Sequence, residues 1–181
     1  MILKEQDVKQ TQIIEIGKRM LIAARTAPKA KGLDHLEGIL VYGDDLNVLA
    51  NFMESGVQRH GRLFFLRDAG NIRIAEAVVV LGARQAVMNL NCGYCGFPTC
   101  VAKENAGVQF PCAFPLTDLG IALGSACAVA ADSRVDTRVM FSAGVAAMEL
   151  GWFDSDVKVA FAIPISAASK NPFFDRIATK Q

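Results

Sequence analysis

Histidine is almost missing from this chain. His35 and His60 are the only two in 181 residues, and neither stands near a cysteine in sequence. No Ser–His–Asp set, Walker loop or G-x-G-x-x-G turn is present. Both histidines read as surface or loop residues. An excess of one charge is missing too. Nineteen basic side chains face eighteen acidic ones and no basic stripe stands out, so nucleic acid is not expected as a partner. The longest uncharged apolar run, LGIALGSACAVAA at 119–131, has 13 residues. That is too short to span a bilayer and suits a buried helix, so no membrane partner is expected. The N-terminal MILKEQDVKQTQ is mixed in charge and has no apolar secretory core. A cytoplasmic location is the expectation, and in that reducing environment disulfides are rare.

Apolar residues make up 52% of the chain and charged residues 20%, which excludes intrinsic disorder. One domain over 1–181 is expected. Ile13, Ile14, Ile16, Met20 and Leu21 recur near helical spacing and predict a helix over 5–26, ended by TAPKAKGLDH. GILVY predicts a strand, and DDLNVLANFMESGVQRHG a helix with an acidic start and a glycine stop. RLFFLRDAGN is ambiguous, whereas AEAVVVLGA at 75–83 has the β-branched run of a buried strand. LTDLGIALGSACAVAADSR predicts a helix capped by Thr117 or Asp118 and apolar nearly all round. TRVMFSAGVAAMELG predicts another helix, and DVKVAFAIPIS a final buried strand. Helices and strands do not alternate strictly, so an α+β class is preferred to a doubly wound sheet.

The cysteines are the strongest signal. Cys92, Cys95, Cys100 and Cys112 have the spacing C-x2-C-x4-C-x11-C within a glycine-punctuated loop at about 89–116, and Cys127 is the fifth. In a reducing compartment such clustering points to metal ligands, catalytic thiols or buried core residues. The x2 pair lets two thiolates grip one centre from a single turn, and four thiolates suit a tetrahedral zinc or an iron–sulfur cluster. Structural zinc more commonly shows two paired knuckles, and the second pair is missing here. Gly93, Gly96 and Gly107 leave backbone free to curl around an inorganic core, while Phe97, Phe110 and Phe114 would shield it. A [4Fe-4S] cluster is therefore favoured over zinc, over a redox dithiol at the C-x2-C, and over four unrelated cysteines. The fourth ligand is Cys112 or Cys127. Cys112 is preferred, because Cys127 lies inside an apolar helix where cysteine is usually a small hydrophobe.

NCGYCGFPTCVAK, ARTAPKAKGLDHLE and IPISAASKNPFFDR together resemble a family of small prokaryotic proteins described as containing a ferredoxin domain. The C-x2-C-G-x3-C core also looks like the iron–sulfur modules of anaerobic corrinoid and carbon-monoxide enzymes. Both resemblances imply a [4Fe-4S] cluster held by Cys92, Cys95, Cys100 and Cys112, and a redox or electron-transfer role toward a partner protein. A looser similarity is to FMN-dependent nitroreductases, whose Arg-Ser-x-Arg type segment after the first helix grips the flavin phosphate. RTAPK stands in that place, so the resemblance implies an FMN site at Arg25, Thr26 and Lys29, with Lys170 and Arg176 as late basic groups. Pro28 and Lys29 depart from the nitroreductase spacing. The same likeness implies a nitroreductase-like sheet flanked by helices and a homodimer with FMN at its interface. Three functions are thus open: an iron–sulfur redox protein, an FMN-dependent reductase with structural cysteines, and a zinc-stapled interaction domain.

Other residues read more plainly. Asp132, Arg134, Asp136 and Arg138 form a solvated charge run, and Lys103 and Glu104 are likewise expected in solvent. Phe173 and Phe174 are expected to pack on the fold or on a partner subunit. GVAAMELG and GIALGSA are helix-packing sequences.

Overall fold

A computed structural model describes residues 1–107 and 109–174. Four strands form one antiparallel sheet in the order β1–β2–β4–β3: β1 (Leu36–Tyr42), β2 (Ala77–Arg84), β3 (Asp136–Thr137) and β4 (Val157–Ser166). Ile39 faces Val80 across β1 and β2, and Val79 faces Ile163 across β2 and β4.

Strand side chains alternate between faces, and here both faces are covered. Val78 and Val80 enter one core with Leu49 and Met53 of α2 (Asp45–His60), Phe65 and Ile72 of α3 (Phe64–Arg73), and Ala143 and Ala147 of α6 (Phe141–Glu149). Ala77, Val79 and Leu81 enter a second core with Ile13 and Met20 of α1 (Glu5–Thr26) and with Leu119, Ala122 and Ala126 of α5 (Ala113–Asp132). The unbroken apolar run AVVVL follows from this double burial, since each fully buried Val or Leu contributes about 1.5–3 kcal/mol. The α+β class is as expected, with helices on both faces of an antiparallel sheet.

Several elements differ from the sequence reading. The ambiguous RLFFLRDAGN is α3, because Phe65, Asp68, Ala69 and Ile72 share one buried helical face. TRVM is extended: Met140 exchanges hydrogen bonds with Ala162 at 2.8 and 2.9 Å, so α6 starts only at Phe141. The apolar helix α5 starts at Ala113 with Cys112 as its N-cap. Pro115 sits in its first turn, where proline costs no hydrogen bond. The helix is therefore longer than its uncharged stretch, and by length and composition it could cross a membrane. Asp118 is no cap. It is 4% exposed, and both its carboxylate oxygens accept from the Ala30 amide at 3.1 Å. Nor is the 132–138 charge run simply solvated, because Arg138 reaches the Phe173 carbonyl at 3.2 Å and lies 3.7 Å from the buried Asp68. Phe173 is buried and Phe174 is exposed.

Helix α6 lies directly on β4 at Gly144, where an added Cβ would sit 2.1 Å from the Ala160 carbonyl oxygen. Gly144→Ala should lower the unfolding free energy by at least roughly 1–3 kcal/mol in denaturant titration. Gly70→Ala on α3, with nothing within 4 Å of the new methyl, should instead raise it by about 0.5–1 kcal/mol.

Candidate functional site

The loop between β2 and α5 leaves a fixed point. Arg84, at the end of β2, donates to Glu37, Asp154 and Asp156 at 2.6–2.7 Å, and the Gln85 amide donates to the Asp156 carbonyl. The loop also returns to its start: the Cys112 amide donates to the Ala86 carbonyl oxygen at 3.0 Å. Lys31 braces the first arm by donating to the Met88 carbonyl at 3.2 Å. Tyr94 stacks on Phe114 with ring centroids 6.0 Å apart, so the loop folds over the first turn of α5.

Within the loop the chain turns tightly. Asn89, Asn91, Gly93 and Gly96 all have positive φ, a conformation that glycine adopts freely and asparagine tolerates. Gly96 closes a turn on the Gly93 carbonyl at 2.9 Å, bracketing Tyr94 and Cys95. Thr99 caps the short helix α4 (Cys100–Asn105) by accepting from the Ala102 amide at 3.1 Å. Asn91 binds Cys100 twice: its Oδ1 accepts from the Cys100 amide at 2.8 Å, and its own amide donates to the Cys100 sulfur at 3.3 Å. Asn91 was not singled out by sequence reasoning. Its position immediately before Cys92 in N-C-G was the available signal.

All five cysteines are unbridged; Cys92 is exposed, Cys95 and Cys100 are half-buried and Cys112 is buried. The thiols stand as separate groups. Among the described residues no three Cys, His, Asp or Glu side chains are gathered as a metal ligand set. The donor chemistry nevertheless fits a thiolate-bound cluster. Four thiols lie on one closed loop, an amide is already aimed at one sulfur, and Cys112 occupies the N-cap of a 20-residue helix with no side-chain hydrogen bond spent there. Cys127 is placed differently. It is fifteen residues along α5 from Cys112, about 22 Å at the helical rise. Burial pushes its thiol pKa up, and a hydrogen bond with Thr137 opposes that shift.

Lys103 was expected in solvent and is not there. It is 3% exposed, and its Nζ donates to the Phe110 carbonyl oxygen at 2.6 Å, two residues before Cys112. The reason is geometric: α4 turns Lys103 inward beneath the 109–112 segment, while Glu104 stays outside.

The basic segment after α1 is committed to the fold. Lys29 donates to the carbonyls of Ala24, Arg25 and Ala27 at 3.0, 2.7 and 2.8 Å, closing the C-terminus of α1. Arg25 pairs with Asp34 and reaches the Leu36 carbonyl at 3.3 Å. The Thr26 hydroxyl bonds back to Ile22 and Ala23. Arg25 also borders a hollow of about 220 Å³ with Leu21, Glu37 and Gly38. Lys170 lies exposed after β4 and is engaged in an interaction of its own. Arg176 lies outside the described residues. The structure thus groups Arg25, Thr26 and Lys29 at one helix end, apart in sequence from Lys170.

Residues 109–176 match the family described as "uncharacterized protein containing a ferredoxin domain" (DUF2148). An uncharacterized protein of Archaeoglobus fulgidus is 40% identical over 187 residues, which cover 99% of this chain and 100% of that one. Among solved structures, nitroreductase A from Vibrio parahaemolyticus is similar with a TM-score of 0.57 at 14% identity, covering 87% of this chain and 60% of its own. The NADPH:FMN oxidoreductase from Vibrio harveyi, complexed with NAD+, is similar with a TM-score of 0.57 at 14% identity, covering 91% of this chain and 64% of its own. This chain therefore spans less than two thirds of either Vibrio enzyme, and at that identity the likeness is one of fold. The chain belongs to the family of uncharacterized proteins containing a ferredoxin domain, built on a nitroreductase-like α+β fold.

Proposed function

We propose that this protein is an iron–sulfur electron-transfer protein whose [4Fe-4S] cluster is held by Cys92, Cys95, Cys100 and Cys112. One observation carries this reading: four cysteines share a loop closed on itself at Ala86 and Cys112, in a family named for a ferredoxin domain. A bound cluster would take one electron from a donor protein and pass it to an acceptor, without proton or group transfer. The chain's own part is to present thiolates, aim the Asn91 amide at the Cys100 sulfur and keep water from part of the site. Hydrogen bonds to sulfur tune the potential of such clusters.

Protein purified without oxygen should be brown, bleach with dithionite and contain iron and sulfide in near-equal amounts. Cys92→Ser, Cys95→Ser, Cys100→Ser and Cys112→Ser should each lose most of that colour and iron, while Cys127→Ser keeps both. Unchanged iron in the first four variants would remove the assignment. Colourless protein holding one zinc per chain would turn the loop into a structural staple.

A second reading, an FMN-dependent reductase, is supported by the fold shared with the Vibrio harveyi FMN oxidoreductase and by the hollow beside Arg25. Arg25 would have to exchange Asp34 for a phosphate, and Lys29 would have to leave three carbonyls. Addition of FMN should give a two-band yellow spectrum that Arg25→Ala weakens. No retained flavin after gel filtration would end this reading.

The protein is further proposed to be a homodimer, with no nucleic-acid or membrane partner and a cytoplasmic location. In support, α5 keeps an uncharged outer face of Leu116, Thr117, Gly120, Ile121, Gly124 and Ala128. Nothing lies within 4 Å of a methyl added at Gly124, so the single chain has room for a larger side chain there. Gly124→Leu should therefore fold but sediment as a monomer where the parent sediments as a dimer.

A further inference from the structure

The cysteine loop is almost without charge. Between Arg84 and Asp118 only Lys103 and Glu104 are ionisable as acid or base side chains other than thiols and Tyr94. Of these two, the acid is exposed and the lysine is 3% exposed. A buried ammonium is costly unless an anion faces it, and a lone carbonyl compensates only in part. Among the described residues Lys103 has the Phe110 carbonyl as its partner and no paired carboxylate.

The missing anion has a natural source. Cys100 lies one helical turn before Lys103, so the two side chains emerge on neighbouring positions of α4. The carbonyl that Lys103 holds belongs to Phe110, two residues ahead of Cys112. The ammonium is thus tied to the segments that carry the third and fourth cysteines, and it is the one buried cation on that loop.

Resting on the iron–sulfur reading above, we propose that Lys103 is a positioning residue and the charge partner of the thiolates. Its ammonium offsets the negative ligand set, stabilises the reduced state and fixes Cys100 relative to Cys112. A cation held close to an electron-accepting centre favours the added electron, so it raises the reduction potential. The same charge lowers the cost of keeping several thiolates together.

The test compares parent protein, Lys103→Gln, Lys103→Met and Lys103→Arg, all purified anaerobically and reconstituted with iron and sulfide. Gln keeps a donor for the Phe110 carbonyl but removes the charge, Met removes both, and Arg keeps the charge. Each is titrated for midpoint potential by absorbance and timed for iron loss to a chelator, with a thermal melt of each as the folding control. Lys103→Gln and Lys103→Met should shift the potential downward and release iron about tenfold faster, the size expected for a residue supporting metal ligands. Lys103→Arg and the exposed-charge control Glu104→Gln should stay near the parent in both. Either uncharged variant that folds suffices to decide. Parent-like potential and iron retention in such a variant would overturn the role of Lys103 while leaving the cluster in place. A parent protein that takes up no iron and sulfide would overturn the iron–sulfur reading itself, and this inference with it.

Discussion

The antiparallel pairing of β2 with β4 buries one strand pair on both faces, and this burial decides where the other elements can go. Val78 and Val80 hold α2, α3 and α6, while Val79 and Leu81 hold α1 and α5. Because both faces are occupied by helices, chemistry is left to the ends of the sheet. The cysteine loop departs from one such end, at Arg84. Three carboxylates from β1 and from the turn before β4 converge on that guanidinium. They raise its pKa, chiefly through the hydrogen bond with Asp154. The loop therefore starts from a fixed position.

Two lysines with buried side chains are satisfied to different degrees. Lys29 is spent on backbone carbonyls at the end of α1, a region where the helix is already electronegative. The Asp34 carboxylate also lies 3.9 Å from that ammonium. Among the described residues Lys103 has one carbonyl and no paired carboxylate, and under the proposal above its charge would face the thiols of its own loop. The contrast bears on the two cofactor readings. The segment that resembles a flavin phosphate site is internally satisfied, whereas Lys103 in the cysteine loop has no paired carboxylate among the described residues.

Much of this architecture was legible in sequence. The periodicity of α1, the acidic start and glycine stop of α2, and the apolar runs of β2 and β4 all encode local structure through local chemistry. The cysteine spacing marked the loop for the same reason. What failed was non-local. Asp118 reads as a cap, yet its partner is the Ala30 amide 88 residues away. Arg138 reads as solvated, yet it serves Asp68 and Phe173. Lys103 next to Glu104 looks like an ordinary surface pair until the return of the 109–112 segment covers only the lysine. Helix α3 is a different case: its apolar spacing was present in the sequence, although the segment read as ambiguous.

The hydrogen bond between Cys112 and Ala86 brings the two ends of the cysteine excursion to within 3.0 Å. Once ends meet, added length costs little, since each doubling of a flexible loop adds only about 0.6 kcal/mol of closure entropy. The sheet and its helices are then indifferent to how much chain lies beyond the base. Evolution could lengthen, shorten or exchange the excursion as a cassette without repacking either core. A scaffold whose fold is shared with nitroreductases can in this way accept a different loop, at a junction where neither fold element has to move.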